Sequence, residues 1–362
     1  MPASLSAIET ISPAFDRTKR QLFQPFRFAF WLRMALVALA TGEFYSSSGW
    51  GGLHFTAPAS RRNPGYIFLG LVNPHWEYLR RYLPWVVLLV LLMFVVVILW
   101  GYVSSVFRFV LFDSVLTDRC HIKEEWRQWH SQGLRFFLWR VCLGLGVMAA
   151  LGILVGAAAL VAVTTGAFRT PRQHIALLVL GGTGAFLVLV CLMILAALIA
   201  LFARDFVVPV MALENVGVIE GWRRVIAMLK AEKRAYAGYV LMKIVLVVGS
   251  AILFGVLTLI AVLLVLIPFS LVGIGAYFLA RSAGLLWSFP AIAIGVVLAV
   301  IAIGVLIYVI AFISTPAMVF FQAYVIHFLG SRYQALGDRI SPPPAPPTPP
   351  LPFPDASVSP AG

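Results

Sequence analysis

The stretch ARDFVVPVMALENVGVIEGWRRVIAMLKAEKR, residues 203–234, decides how the chain is read. It leaves a long apolar run, passes Pro209 and becomes a short helix dense in arginine and lysine. Val218, Trp222, Val225, Ile226 and Leu229 fall at i, i+4, i+7, i+8 and i+11, which is one face of a 3.6-residue helix. Glu220, Arg223, Arg224 and Lys230 fall on the other faces, with Glu220 at pairing distance from either arginine. Such a helix suits the boundary between bilayer and water, with rings at headgroup depth and cations in water.

The composition places that boundary in a membrane protein. Residues of the AVILMFWYC set make up 61% of the 362 and charged residues 11%, against about 45–50% and about 25% in soluble domains. Mean hydropathy is +0.96, and several runs exceed the roughly 18 apolar residues that cross a bilayer. The formal charge of +13 is spread between apolar runs. That is the pattern of topology-setting cations, and no long polar segment offers the basic fold that nucleic-acid binding needs. Cys120, Cys142 and Cys191 have no CxxC spacing and an odd count, so neither a disulfide framework nor a zinc site follows. Cysteines in or near apolar helices read as small core residues.

The expected fold is therefore all-α: a polytopic transmembrane helical bundle of about six spans with two amphipathic interfacial helices. Residues 1–27 form a cytoplasmic or interfacial N-terminal segment with a helix over Ile11 to Phe26. Residues 28–330 form the six-span domain, and residues 331–362 a Pro-rich, disordered cytoplasmic tail. No signal-peptide cleavage pattern precedes the first apolar run. The spans are expected at about Phe28–Tyr45, Pro84–Tyr102 (continuing as helix to Leu116), Phe136–Thr164, Ile175–Phe202, Ala237–Ile267 and Phe289–Ile313. Asp118–Gly133 forms the second interfacial helix, with Ile122, Trp126 and Trp129 on one face. The connection Ser46–Leu83 holds turns and a surface-lying piece around HWEY at 75–78. Pro268–Ala283 extends the fifth span, kinks it or re-enters. The SPPPAPPTPPLPFP run from Ser341 cannot be helical, because proline lacks the amide proton and fixes φ.

At an offset of 96 residues Arg108, Asp118, Ile122, Glu124, Trp126 and Arg127 align with Arg204, Glu214, Val218, Glu220, Trp222 and Arg223. This is an internal repeat over about 104–145 and 200–241. Each copy follows an even-numbered span, so both lie on one side of the membrane. The N-terminal segment, the 2–3 and 4–5 connections and the segment after the sixth span hold most of the Lys and Arg. By the positive-inside rule both termini face the cytoplasm.

FVVPVMALENVGVIEGWRR, residues 206–224, resembles a broad set of uncharacterised bacterial and archaeal six-span membrane proteins. Their P-x(4)-E-x-x-G-x-x-E-[AG]-[WL]-[RK] signature is matched by Pro209, Glu214, Gly217, Glu220, Gly221, Trp222 and Arg223. The set is distantly similar to the membrane domain of glycerophosphodiester phosphodiesterases. PAFDRTKRQLFQPFRFAFWLRMALVALATGEF near the start and PAMVFFQAYVIHFLG near the end are similar to such families too. The resemblance implies a six-helix membrane domain with cytoplasmic termini and no assigned activity. The phosphodiesterases' catalytic barrel has no counterpart here.

No catalytic, cofactor or metal site is legible. His121 and Glu125 are i, i+4, but no H-E-x-x-H completes a zinc site around Cys120, Glu124 and His130. No G-x-S-x-G elbow or carboxylate cluster is present. Arg33, Arg108, Arg140 and Lys243 lie near span ends, and no Asp or Glu falls mid-span, which argues against a proton-coupled carrier. Gly152/Gly156 and Gly181, Gly182 and Gly184 read as close-packing positions within the bundle. The sequence thus leads to an integral membrane protein, non-catalytic, binding lipid or partner proteins at the inner face of the cytoplasmic membrane. Trp126, Arg127, Trp222, Arg223 and Arg224 are its candidate contacts. Membrane lipids, partner membrane proteins or a second copy are the expected partners. A permease or export component is the alternative, and a membrane enzyme acting on lipids a third reading.

Overall fold

The computed structural model describes residues 5–24, 26–42, 76–166, 173–284 and 288–340. Among the described residues every regular element is helical. The helices are α1 (Ile11–Phe23), α2 (Phe28–Thr41), α3 (Trp76–Thr117), α4 (Ile122–Thr164) and α5 (Ile175–Phe202). A π-helical turn (Ala203–Val207) leads into α6 (Val208–Glu214), followed by α7 (Val218–Ala231), α8 (Lys233–Ser282), α9 (Phe289–Gly330) and α10 (Gln334–Ile340).

Five helical stretches are long and apolar enough to cross a membrane: Leu83–Thr117, Ile122–Thr164, Leu178–Glu214, Lys233–Ser282 and Phe289–Gly330. The first expected span is the exception. At 14 residues, α2 is about 21 Å long, short of a hydrocarbon core of about 30 Å. It ends at Gly42, whose φ of 73° supplies the left-handed cap. A sixth span is reached only if α1 and α2, bent by 119°, count as one.

Several boundaries move. The expected interfacial helix at Asp118–Gly133 and the third span are one helix, α4, of 43 residues. Around 75–78, Trp76 already opens α3, which runs without a break into the second span despite Pro84. Pro268 likewise lies inside α8, so Pro268–Ser282 prolongs the fifth span. Pro316 sits inside α9. Gln334–Ile340, assigned to the tail, form α10, which buries Leu336. The segments 43–75 and 341–362, with most of the Ser46–Leu83 connection and the proline run, lie outside the described residues.

The core sits at one end of the long helices. It joins α1 and α2 to the C-terminal parts of α3 and α9, the N-terminal parts of α4 and α8, and the whole of α6 and α7. Met34, Val106, Phe109, Phe112, Phe136, Phe206, Tyr239, Tyr324 and Phe328 are buried there. Ring contacts run through it: Phe109 stacks on Trp129 at 5.9 Å, and Tyr239 on Tyr324 at 5.4 Å. Beyond this hub the helices become arms whose apolar side chains, such as Leu88, Ile153 and Leu264, face outward. This is the surface that hydrocarbon covers in a spanning protein.

Where two helices cross closely, a glycine allows it. A Cβ on Gly133 of α4 would stand 2.7 Å from the Val106 Cα of α3, and one on Gly221 of α7 3.0 Å from a Val207 methyl. The glycines singled out from sequence behave differently. Gly152, Gly156, Gly181, Gly182 and Gly184 have nothing within 4 Å of a Cβ position. They lie on the arms, and among the described residues no neighbouring helix comes close enough to need a glycine there, so the close-packing expectation fails for them within the described chain. Cys142 and Cys191 are also exposed on the arms, and only Cys120 is buried.

Candidate functional site

The hub's polar chemistry begins where α3 and α6 end. Each is closed by a non-glycine residue in the left-handed region, Asp118 (φ 56°) and Asn215 (φ 54°), residue types that tolerate it. The offset of 96 aligns the next helix starts, Ile122 and Val218, but pairs Asp118 with Glu214. The turn between α6 and α7 is one residue shorter than that between α3 and α4. The π-helical turn ahead of α6 carries one extra residue, which offsets that difference. Gln132 of α4 donates to Asn215 Oδ1, tying α4 to the turn between α6 and α7.

At the first turn, Glu125 is buried rather than solvated. Its carboxylate accepts hydrogen bonds from Ser114 Oγ (3.0 Å) and the His121 amide (2.8 Å), a capping arrangement at the start of α4. Among the described residues no three His, Cys, Asp or Glu side chains converge on one point. Burial pushes the Cys120 thiol up to about 11, which keeps it protonated and unreactive at neutral pH. Its carbonyl accepts from Arg33 Nη1 at 3.2 Å, so Arg33 is turned into the hub instead of reaching for a membrane surface.

The five side chains expected to contact lipid fall into two classes. Trp126 and Trp222 are half-buried: Trp126 packs on Tyr102 and Phe107, and Trp222 on Trp139 at 5.7 Å. Arg127 and Arg223 are exposed. Arg223 pairs with Glu220 at 2.7 Å while its side chain stays 79% exposed. Arg224 is different, being held between the carboxylates of Glu214 and Glu220. It joins the end of α6 to α7, and its charge is already matched within the protein. On the outward face of α7, Ile219, Trp222, Arg223, Ile226, Ala227 and Lys230 line a shallow groove. Ile219 is 85% exposed.

Sequence reasoning missed the most buried charged group. Asp205, on the π-helical turn, is 4% exposed, as is Lys243 of α8. The Lys243 ammonium pairs with Asp205 Oδ2, which also accepts from the Tyr239 hydroxyl at 2.9 Å. Arg204 Nε reaches the other carboxylate oxygen at 3.3 Å. Tyr239 stacks on Tyr324, whose hydroxyl donates to the Ala7 carbonyl at 3.0 Å. The cluster therefore links α5/α6, α8, α9 and the N-terminal segment. The signal available was an acid and a base, each bordering an apolar run on successive spans.

A hub of charged turns under long apolar arms defines a multipass helical membrane protein. The chain belongs to a family of unknown function (DUF7544), whose model matches residues 5–339. No curated protein and no solved structure matches it, and the expected likeness to the membrane domain of glycerophosphodiester phosphodiesterases receives no support.

Proposed function

We propose that the protein is a non-catalytic component of the cytoplasmic membrane that holds anionic lipid headgroups along the outward face of α7, with the hub and both termini on the cytoplasmic side. The observation that carries this is the composition of one exposed groove. Ile219, Trp222 and Ile226 offer apolar surface beside the exposed cations of Lys230 and of Arg223, which also pairs with Glu220. That combination matches the boundary between acyl chains and headgroups. Each cation near an anionic surface contributes about 1 kcal/mol. The concentration of Lys and Arg on elements that meet in the hub supports the orientation. A second copy or a partner membrane protein would dock through the bare arms, which carry exposed apolar side chains along most of their length.

Native mass spectrometry of protein extracted with its surrounding lipids tests this reading. The wild type should retain anionic lipid, and Arg223→Ala/Lys230→Ala should lose it while melting at the same temperature. An unchanged lipid complement in the double variant would overturn the proposal. Arg224→Ala is the wrong probe, because it opens an internal ion pair.

The permease reading receives less support. The cavity of about 1140 Å³ between the far halves of α8 and α9 is lined by apolar side chains with Ser288 and Tyr277, and by no charged group.

A further inference from the structure

Beside α1 lies a second basic concavity, deeper than the α7 groove. Its volume is about 680 Å³, and Arg17, Arg20, Arg27, Arg339 and His327 line it together with Gln21 and Gln24. Asp118 is the one carboxylate in the wall, and it stands 4.0 Å from Arg17. Arg27 and Arg339 make no ion pair among the described residues. Four guanidinium groups thus face one acid.

The interior polar atoms are also incompletely used. Arg17 Nη2 donates to the Val115 and Leu116 carbonyls, each at 2.9 Å, closing the end of α3. Its Nε, however, is buried without a partner. The same holds for His327 Nε2 and for Gln21 Oε1, although Gln21 Nε2 donates to the Ser114 carbonyl at 3.1 Å. Buried polar atoms are ordinarily satisfied, and a cluster of orphans in one basic cleft marks a place for a ligand. The complement is an anion with several acceptor oxygens and one hydroxyl. The oxygens accept hydrogen bonds from Arg17 Nε, the His327 ring and the rim arginines, and Gln21 Oε1 accepts one from the hydroxyl. A phosphate monoester in its singly protonated form has that pattern, and arginine forks match its geometry.

We propose that this cleft binds a phosphate monoester group. The cleft lies where α1 bends into α2, and Phe23, Phe26 and Phe28 are exposed around the bend. Apolar rings next to a phosphate site favour the headgroup of a membrane phospholipid over a free phosphate. The proposal does not depend on the α7 groove.

The test uses full-length protein, delipidated in dodecyl maltoside, in binding titrations. The ligands are dioctanoyl phosphatidic acid, dioctanoyl phosphatidylcholine, glycerol 3-phosphate and inorganic phosphate. Phosphatidic acid should bind saturably and phosphatidylcholine should not. Arg20→Gln/Arg339→Gln removes two exposed cations and should weaken binding about thirtyfold, from two contacts worth about fivefold each. Arg20→Lys/Arg339→Lys should stay within about tenfold, since charge is kept and only the fork is lost. Single Arg339→Gln, on the short peripheral α10, should weaken binding about fivefold and decides the matter if the double variant does not fold. Equal affinity for glycerol 3-phosphate or inorganic phosphate would uphold the site and assign it to a soluble ligand. Phosphatidic acid binding no better than phosphatidylcholine, with no binding of either phosphate, would overturn it. So would wild-type affinity in a folded glutamine variant. Arg223→Ala/Lys230→Ala should leave this affinity unchanged, so failure at α7 and failure here are read separately.

Discussion

Replacing Lys243 by methionine should be among the most destabilising single changes in the hub. The substitution keeps an unbranched side chain, one heavy atom shorter, and removes the charge together with its hydrogen-bond donors. Asp205 would remain 4% exposed, with the Tyr239 hydroxyl at 2.9 Å and Arg204 Nε at 3.3 Å as surviving partners. Removing one member of a buried ion pair costs about 3–5 kcal/mol, because the other charge stays buried. The two surviving donors place this case near the lower limit, about 3 kcal/mol. For a chain this long, 1 kcal/mol corresponds to about 2 °C in melting temperature, so Lys243→Met should melt about 6 °C lower. Tryptophan fluorescence during heating in dodecyl maltoside would follow this. The companion variant Asp205→Asn/Lys243→Met removes both buried charges, leaves only the part-exposed Arg204 beside them, and should recover most of the loss. The reasoning is refuted if Lys243→Met melts within about 1 °C of wild type. It is equally refuted if the double variant melts no higher than Lys243→Met.

Other expectations follow from particular contacts. Gly133→Leu drives a side chain into the Val106 backbone, where even a Cβ stands at 2.7 Å. It should destabilise by about 3 kcal/mol or prevent folding, whereas Gly152→Leu, on an open arm, should leave the monomer's melting temperature within about 1 °C. Arg224→Ala should lower stability by about 1 kcal/mol through the lost link to Glu214 and Glu220 without changing bound lipid, the reverse of Arg223→Ala/Lys230→Ala. Cys120 should resist a soluble maleimide in the native protein and react after SDS denaturation. With its thiol pushed up to about 11 by burial, native labelling should climb as pH rises toward 11, where an ordinary thiol levels off above about 9. Comparable native and denatured rates at pH 7.5 would show that Cys120 is accessible.

The fold class and most spans were legible because they depend on properties that one residue carries by itself. Runs such as Leu83–Trp100 are apolar all round. What the sequence did not reveal is pairwise. Whether Asp205 meets Lys243, 38 positions away, depends on how α5 and α8 are rotated, and on a π-helical turn that no residue pattern announces. The seam between α4's polar start and its apolar remainder was read as a break because composition changes there, yet hydrogen bonding continues through it. At α2 the opposite error arose: apolar composition reached further than the helix did. The site residues were half legible. Charge and ring type picked out α7, but could not tell the exposed Arg223 from Arg224, whose partners Glu214 and Glu220 lie on two helices.

The separation of hub from arms also bears on where function can reside. Along the arms, leucine, isoleucine and valine face outward, so they offer hydrocarbon contact and little that distinguishes one solute from another. Every described ion pair lies in the hub. So do the two non-glycine left-handed helix ends, Asp118 and Asn215, and the orphaned polar atoms of Arg17, Gln21 and His327. Burying Asp205, Lys243 and Glu125 is costly in desolvation, and the return is a fixed relation among α3, α4, α6, α8 and α9. That fixed relation holds Arg17 against the end of α3 and His327 across from it. In the proposed phosphate site, Arg17 and His327 are thus held in place by the fold, and the ordering entropy that offsets binding falls mainly on the exposed rim side chains of Arg20 and Arg339.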